Sequence, residues 1–119
     1  MINITFYKRN GTYYKFVEQG HALFADSGND IVCAAISSMT MLVVNAIEVS
    51  YKADVKYDID ADCNKITVTA MEALAEYASD ETQRFAVSGI ILAYYYELMD
   101  LLEEYYDFID VNEIDEDGN

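Results

Sequence analysis

The single histidine of this chain, His21, precedes Cys33 by 12 residues, and the segment between them is mostly small and polar. An imidazole that reaches a thiol can take its proton, and the thiolate so formed attacks a carbonyl carbon. This pair is the least equipment that cysteine-based acyl transfer requires. A loop of this length can fold back and bring the two side chains together, with Gly20 and Gly28 as its conformational pivots. Asp30 is a residue type suited to cap the helix that follows. That cap would put Cys33 in the first helical turn, where unpaired N–H groups and the positive end of the helix dipole favour a thiolate and could hold an oxyanion. His21 would then return the proton to the leaving amine. Ser37, four residues after Cys33, shares its helix face. Its hydroxyl either serves the site or bonds back to the Cys33 carbonyl.

Spacing alone leaves blander roles open. A lone histidine in a glycine loop is commonly a solvated polar residue, and a cysteine inside Ile31-Val32-Cys33-Ala34-Ala35 is commonly a small core residue. A metal site drawn from His21, Cys33, Cys63 and an aspartate lacks the paired-cysteine spacing of structural zinc centres. Cys63 falls in a turn and reads as an exposed thiol. The run Tyr94-Tyr95-Tyr96 reads as core and interface more readily than as a substrate platform.

The elements that must position these residues follow from periodicity. Ile2, Ile4 and Phe6 alternate with Asn3 and Thr5, Asn10-Gly11 supplies a tight hairpin turn, and Thr12–Glu18 is the returning strand. From Gly20 to Asn29 the pattern breaks into a loop. Val32, Ala35, Ile36, Met39, Val43 and Ala46 then recur on one face of a helix that reaches about Glu48. Residues 53–59 and 66–70 alternate as a second hairpin about an Asp-Cys-Asn turn.

Between Asp80 and Tyr105, Val87, Ile91, Tyr94, Leu98, Leu101 and Tyr105 mark one face of a long helix. Ser88, Leu92, Tyr95, Met99, Leu102 and Tyr106 form a second stripe beside it, wide enough to meet a second subunit. Phe108–Ile114 is compatible with a last short strand. The fold class is therefore α+β in two layers: two helices packed on one face of a four- to five-stranded, mostly antiparallel or mixed sheet, in the order β-β-α-β-β-α with room for that last strand.

One domain is expected over residues 1–119, with an acidic tail at about 107–119. Seven basic and 22 acidic side chains give a net charge of −15. That balance repels nucleic acid and anionic membranes and would attract a basic partner, although acidity also serves simple solubility. No apolar stretch reads as a membrane span. Two cysteines form no disulfide framework and no secretion signal is seen, so the cytoplasm is the expected location.

Gly20-His21-Ala22, Gly28, Asp30-Ile31-Val32-Cys33-Ala34 and Ser37, in this order, closely resemble the signature of the ribosomal-processing cysteine protease family, Prp. The likeness covers nearly the whole chain: two strands before the histidine, a helix opened by the cysteine, a charged hairpin and a long last helix. It implies that His21 and Cys33 form the catalytic dyad and that the loop between them moves when substrate binds; on this reading Asp30 and Ser37 would position the site, and Gly20 and Gly28 would let the loop open and close. It further implies a cytoplasmic homodimer that needs no metal or organic cofactor. Its substrate would be the N-terminal extension of a large-subunit ribosomal protein. The acidic, tyrosine-rich segment Ala93–Asn119 has no residue-by-residue counterpart in that pattern. The rival reading is a non-catalytic acidic module that binds a basic ribosomal or nucleic-acid-binding protein.

Overall fold

The computed structural model describes residues 1–20 and 27–117, with the backbone alone for residues 27–30. Strand β1 (Ile2–Arg9) turns at Asn10-Gly11 into β2 (Thr12–Gln19). Both turn residues have positive φ, 51° and 75°, as a primed two-residue turn requires. Helix α1 (Ser27–Asn45) continues into a π-helical segment, Ala46–Ser50. The hairpin β3 (Lys56–Asp60) and β4 (Lys65–Thr69) follows, then a short 3-10 turn, helix α2 (Glu81–Tyr105) and strand β5 (Ile109–Asp115). Asp80 caps α2 by accepting the Gln83 N–H at 2.7 Å.

The sheet order is β3-β4-β2-β1-β5. All pairs are antiparallel except β1 with β5, which run parallel in the register Ile2↔Ile109 to Lys8↔Asp115. The two helices explain this mixture. Parallel strands need a crossover, and α1 returns the chain from β2 to the equally oriented β3, as α2 does from β4 to β5. The fold class expected from the sequence is the one observed, and the segment compatible with a last strand is β5.

Strand alternation decides what lies beneath the helices. Ile2, Ile4 and Phe6 of β1, Phe16 of β2, Val68 of β4 and Ile109 of β5 are buried. Onto them pack Val32, Ile36, Val43 and Ile47 from α1 and its extension, and Val87, Ile91, Tyr94 and Leu98 from α2. The segments Ile31–Ser50 and Glu81–Tyr105 are each long and apolar enough to cross a membrane by length and composition. That differs from the sequence reading. The reason is that the core-facing stripe of α1 is flanked by further apolar residues, Ile31, Met41 and Leu42, which are exposed. The second stripe of α2 is also partly consumed inside the subunit, since Tyr95 meets Phe6 edge to face and lies tilted against Tyr13, at centroid distances of 5.2 and 4.8 Å.

The acidic end of the chain is held by the sheet over 109–115. A bulge between Tyr7 and Lys8 shifts the β1–β2 register, so that Lys15 and Tyr13 are paired and Tyr14 is the extra residue. Glu113 accepts from Lys8 Nζ at 3.1 Å and from the Tyr13 hydroxyl, and Glu116 accepts from Arg9 Nε at 3.1 Å and from the Tyr14 hydroxyl. The hydrogen bond from Tyr13, then that from Lys8, holds the Glu113 carboxyl below the ordinary value of 4.5. The bond from Tyr14 does the same for Glu116.

Near pH 4.5 the native chain therefore binds fewer protons than the unfolded one at these two sites. Their contribution is complete above about pH 4.5 and is lost as the pH falls through the lowered native values. Amide hydrogen exchange over 109–115, measured from pH 6 down to pH 3 and corrected for intrinsic rates, should accelerate earlier than exchange in β2. Glu113→Gln with Glu116→Gln should remove that early step.

Candidate active site

Strand β2 delivers the chain to Gly20, and the local geometry admits no other residue type there. Gly20 has φ +93°, a conformation that L side chains rarely adopt, and a Cβ at this position would collide with the Met1 carbonyl. Its N–H donates to the Asn64 carbonyl at 3.3 Å, so the chain leaves the sheet between the N-terminus and the β3–β4 turn. His21, the next residue, lies outside the described residues.

Helix α1 begins at Ser27, so Gly28 and Asp30 are helical residues and Cys33 is the seventh residue of the helix. This corrects the expected helix start: Gly28 lies in the helix rather than in a loop before it, Asp30 is not the N-cap, and Cys33 is not in the first turn. Once Val32, Ile36 and Val43 fix the helix on the sheet, adding a residue at its end forms one hydrogen bond and needs no new nucleus. The penalty of about 1 kcal/mol for Gly28 is then too small to stop the helix at Asp30. The Cys33 N–H consequently falls within the regular ladder, beyond the four unpaired groups at the helix start. The dipole argument for this thiol, which acts within the first turn, loses its footing.

Cys33 is half-buried at the margin of the core, between buried Val32 and Ile36. Ser37, one turn on, is exposed. Cys63 is exposed in the β3–β4 turn, as its turn setting implied.

A polar group inside the core escaped the sequence reading. Glu18 of β2 and Thr40 of α1 are the buried polar residues among the described ones, and both contact buried Tyr94 of α2. Thr40 Oγ1 donates to Glu18 Oε2 at 2.7 Å, and the Tyr94 hydroxyl donates to the same oxygen. Burial first, and then the charge of Glu18, pushes the Tyr94 hydroxyl well above the ordinary tyrosine range, so it keeps its proton and remains a donor. The signal was present in the alternation: Tyr14, Phe16 and Glu18 are inward positions two apart.

A cysteine seated in the first helix, on a two-layer α+β scaffold whose second strand leads into Gly20, defines a candidate cysteine hydrolase. The sequence profile of the cysteine protease Prp family matches residues 1–110. The chain belongs to that family, and it is a cysteine protease by that membership.

The solved structures agree in fold. The chain is similar to SMU.848 of Streptococcus mutans, with 29% identity, a TM-score of 0.79 and coverage of 97% of this chain and 98% of that one. It is also similar to the ribosomal processing protease Prp of Staphylococcus aureus crystallised with a substrate peptide. There the identity is 22%, the TM-score 0.78 and the coverage 96% and 100%. The same S. aureus enzyme with a covalently linked product peptide gives 22% identity and a TM-score of 0.76. No curated protein matches the sequence.

Proposed function

We propose that this chain is a cysteine endopeptidase that removes the N-terminal extension of a large-subunit ribosomal protein, with Cys33 and His21 as its dyad. The match of residues 1–110 to the cysteine protease Prp family carries this reading. It is supported by the shared fold of the S. aureus ribosomal processing protease, which has been seen with a substrate peptide and with a covalently linked product peptide.

In the proposed reaction His21 takes the Cys33 thiol proton, and Sγ adds to the scissile carbonyl. Collapse of the tetrahedral intermediate breaks the C–N bond as His21 gives the proton to the leaving amine. A water molecule, deprotonated by His21, then hydrolyses the thioester and restores the thiol. These steps need no metal or organic cofactor.

The test is incubation of the purified protein with a peptide that spans the candidate junction, followed by mass spectrometry. One cut, absent with Cys33→Ala, is expected. A net charge of −15 attracts a basic substrate, so kcat/KM should fall severalfold between about 50 and 500 mM salt as screening shortens the reach of the field. Binding of the peptide with no cleavage would return the chain to the non-catalytic acidic module.

The proposal extends to a homodimer acting in the cytoplasm. Between α1 and α2 runs a groove of about 490 Å³ lined by Met39, Leu42, Val43, Ile90 and Ala93, with Leu42 67% exposed. A second copy laid on this groove would bury it. Sedimentation at micromolar concentration should show a dimer that Leu42→Glu dissociates; a parent that sediments as a monomer sinks the extension.

A further inference from the structure

Glu18 stands where hydrocarbon would be expected. On the helix-facing side of the sheet it lies across from Ile4 of β1 and Ile66 of β4, two residues from Phe16, and it is fully buried. A carboxyl group is far more costly to bury than an aliphatic side chain of similar size. Replacing such buried polar groups by packed hydrocarbon is often neutral or stabilising. The core nevertheless places three polar side chains on one spot: Thr40 Oγ1 lies 2.7 Å from Glu18 Oε2, the Tyr94 hydroxyl bonds the same oxygen, and the two hydroxyls are 3.4 Å apart.

The place of this cluster in the chain gives it a use. Glu18 is two residues before Gly20 and three before His21, at the end of the strand from which the histidine departs. Thr40 lies seven residues after Cys33, so the two share a face of α1 two turns apart. Tyr94 fastens the pair to the middle of α2. Apolar contacts tolerate small slides of a helix on a sheet, whereas directional hydrogen bonds to one oxygen fix its register.

We propose that Glu18 is a positioning residue for proteolysis: held by Thr40 and Tyr94, it locks the end of β2, and Gly20 two residues on, against α1, the helix that carries Cys33. The inference rests on the reading of His21 and Cys33 as the dyad. Its test is separable from that reading, because Cys33→Ala in parallel reports the dyad alone.

The variants are Glu18→Gln, Glu18→Leu and the triple Glu18→Leu/Thr40→Val/Tyr94→Phe, which removes the three polar groups together. Displacing reacting groups by about 1 Å from a distance can cost on the order of 100-fold in rate. The triple variant should therefore show kcat lowered by about ten- to a hundredfold with KM within about twofold, because Glu18 is fully buried and offers no surface to a peptide. Its thermal midpoint should be equal to or above the parent's. Glu18→Gln retains an acceptor oxygen for both hydroxyls and should recover most of the rate.

If Glu18→Leu does not fold, Thr40→Val and Tyr94→Phe carry the test singly, each removing its own bond to Glu18 and the contact between the two hydroxyls at nearly constant volume. Parental kcat in a folded triple variant, or in both single variants, would overturn the inference. So would a loss of activity that only tracks a loss of thermal stability. Should Cys33→Ala itself retain parental cleavage, the dyad fails, and that outcome is read without reference to Glu18.

Discussion

Cys33→Ala should lower kcat by about 10⁴-fold or more while KM changes only a fewfold, because the peptide's binding contacts survive and the bond-forming atom does not. His21→Ala should fall to a comparable rate. The double variant should be little worse than either, since nucleophile and base act as a unit and their losses do not add. Folding is not at stake in Cys33→Ala. The residue is half-buried at the core margin, and the change removes one atom next to alanines that already suit the helix. Single-turnover cleavage with each variant, beside circular dichroism to confirm the fold, is the measurement. Parental turnover by Cys33→Ala would remove the nucleophile assignment outright.

The largest effect on stability is expected at Phe6. Its ring lies at the crossing of both layers, with centroid distances of 5.4 Å to Tyr13, 5.5 Å to Phe16, 5.8 Å to Tyr94 and 5.2 Å to Tyr95. Phe6→Ala leaves a void that two strands and α2 cannot close without giving up their register. It should cost about 4 kcal/mol, within the usual range of roughly 3–5 for a buried phenylalanine. Against a typical domain stability of about 5–15 kcal/mol that is a large fraction. The thermal midpoint should drop by about 15 °C at roughly 4 °C per kcal/mol. Phe85→Ala provides the contrast: Phe85 is 73% exposed, and its removal should stay within about 0.5 kcal/mol. A loss of similar size at both positions, in urea titrations, would show that the aromatic cluster is not the centre of the core.

Most of the framework was legible because it is written in local periodicity. The alternation of Ile2, Ile4 and Phe6, the Asn10-Gly11 turn and the stripe Val87, Ile91, Tyr94, Leu98 each carry their own conformational preference, and the observed elements follow them. The start of α1 was misplaced for the complementary reason. Gly28 and Asp30 are locally suited to a loop and a cap, but a helix already anchored by Val32 and Ile36 extends past them at little cost. Glu18 was overlooked because its alternation placed it inward while its charge argued for the surface, and no local rule ranks those two signals.

By itself the sequence determined the order and type of the elements, the two-layer α+β class, and the pairing of one histidine with one cysteine 12 residues on as the candidate chemistry. Each of these depends on residues close along the chain, whose preferences survive without knowledge of distant neighbours. Tertiary structure alone decided the parallel seat of β5 beside β1, the seating of Cys33 as the seventh residue of α1, and the meeting of Glu18, Thr40 and Tyr94 on one oxygen. These rest on contacts between residues far apart in the chain, 76 positions for Tyr94 and Glu18 and more still between β1 and β5, where only the closure of the whole fold selects the partner.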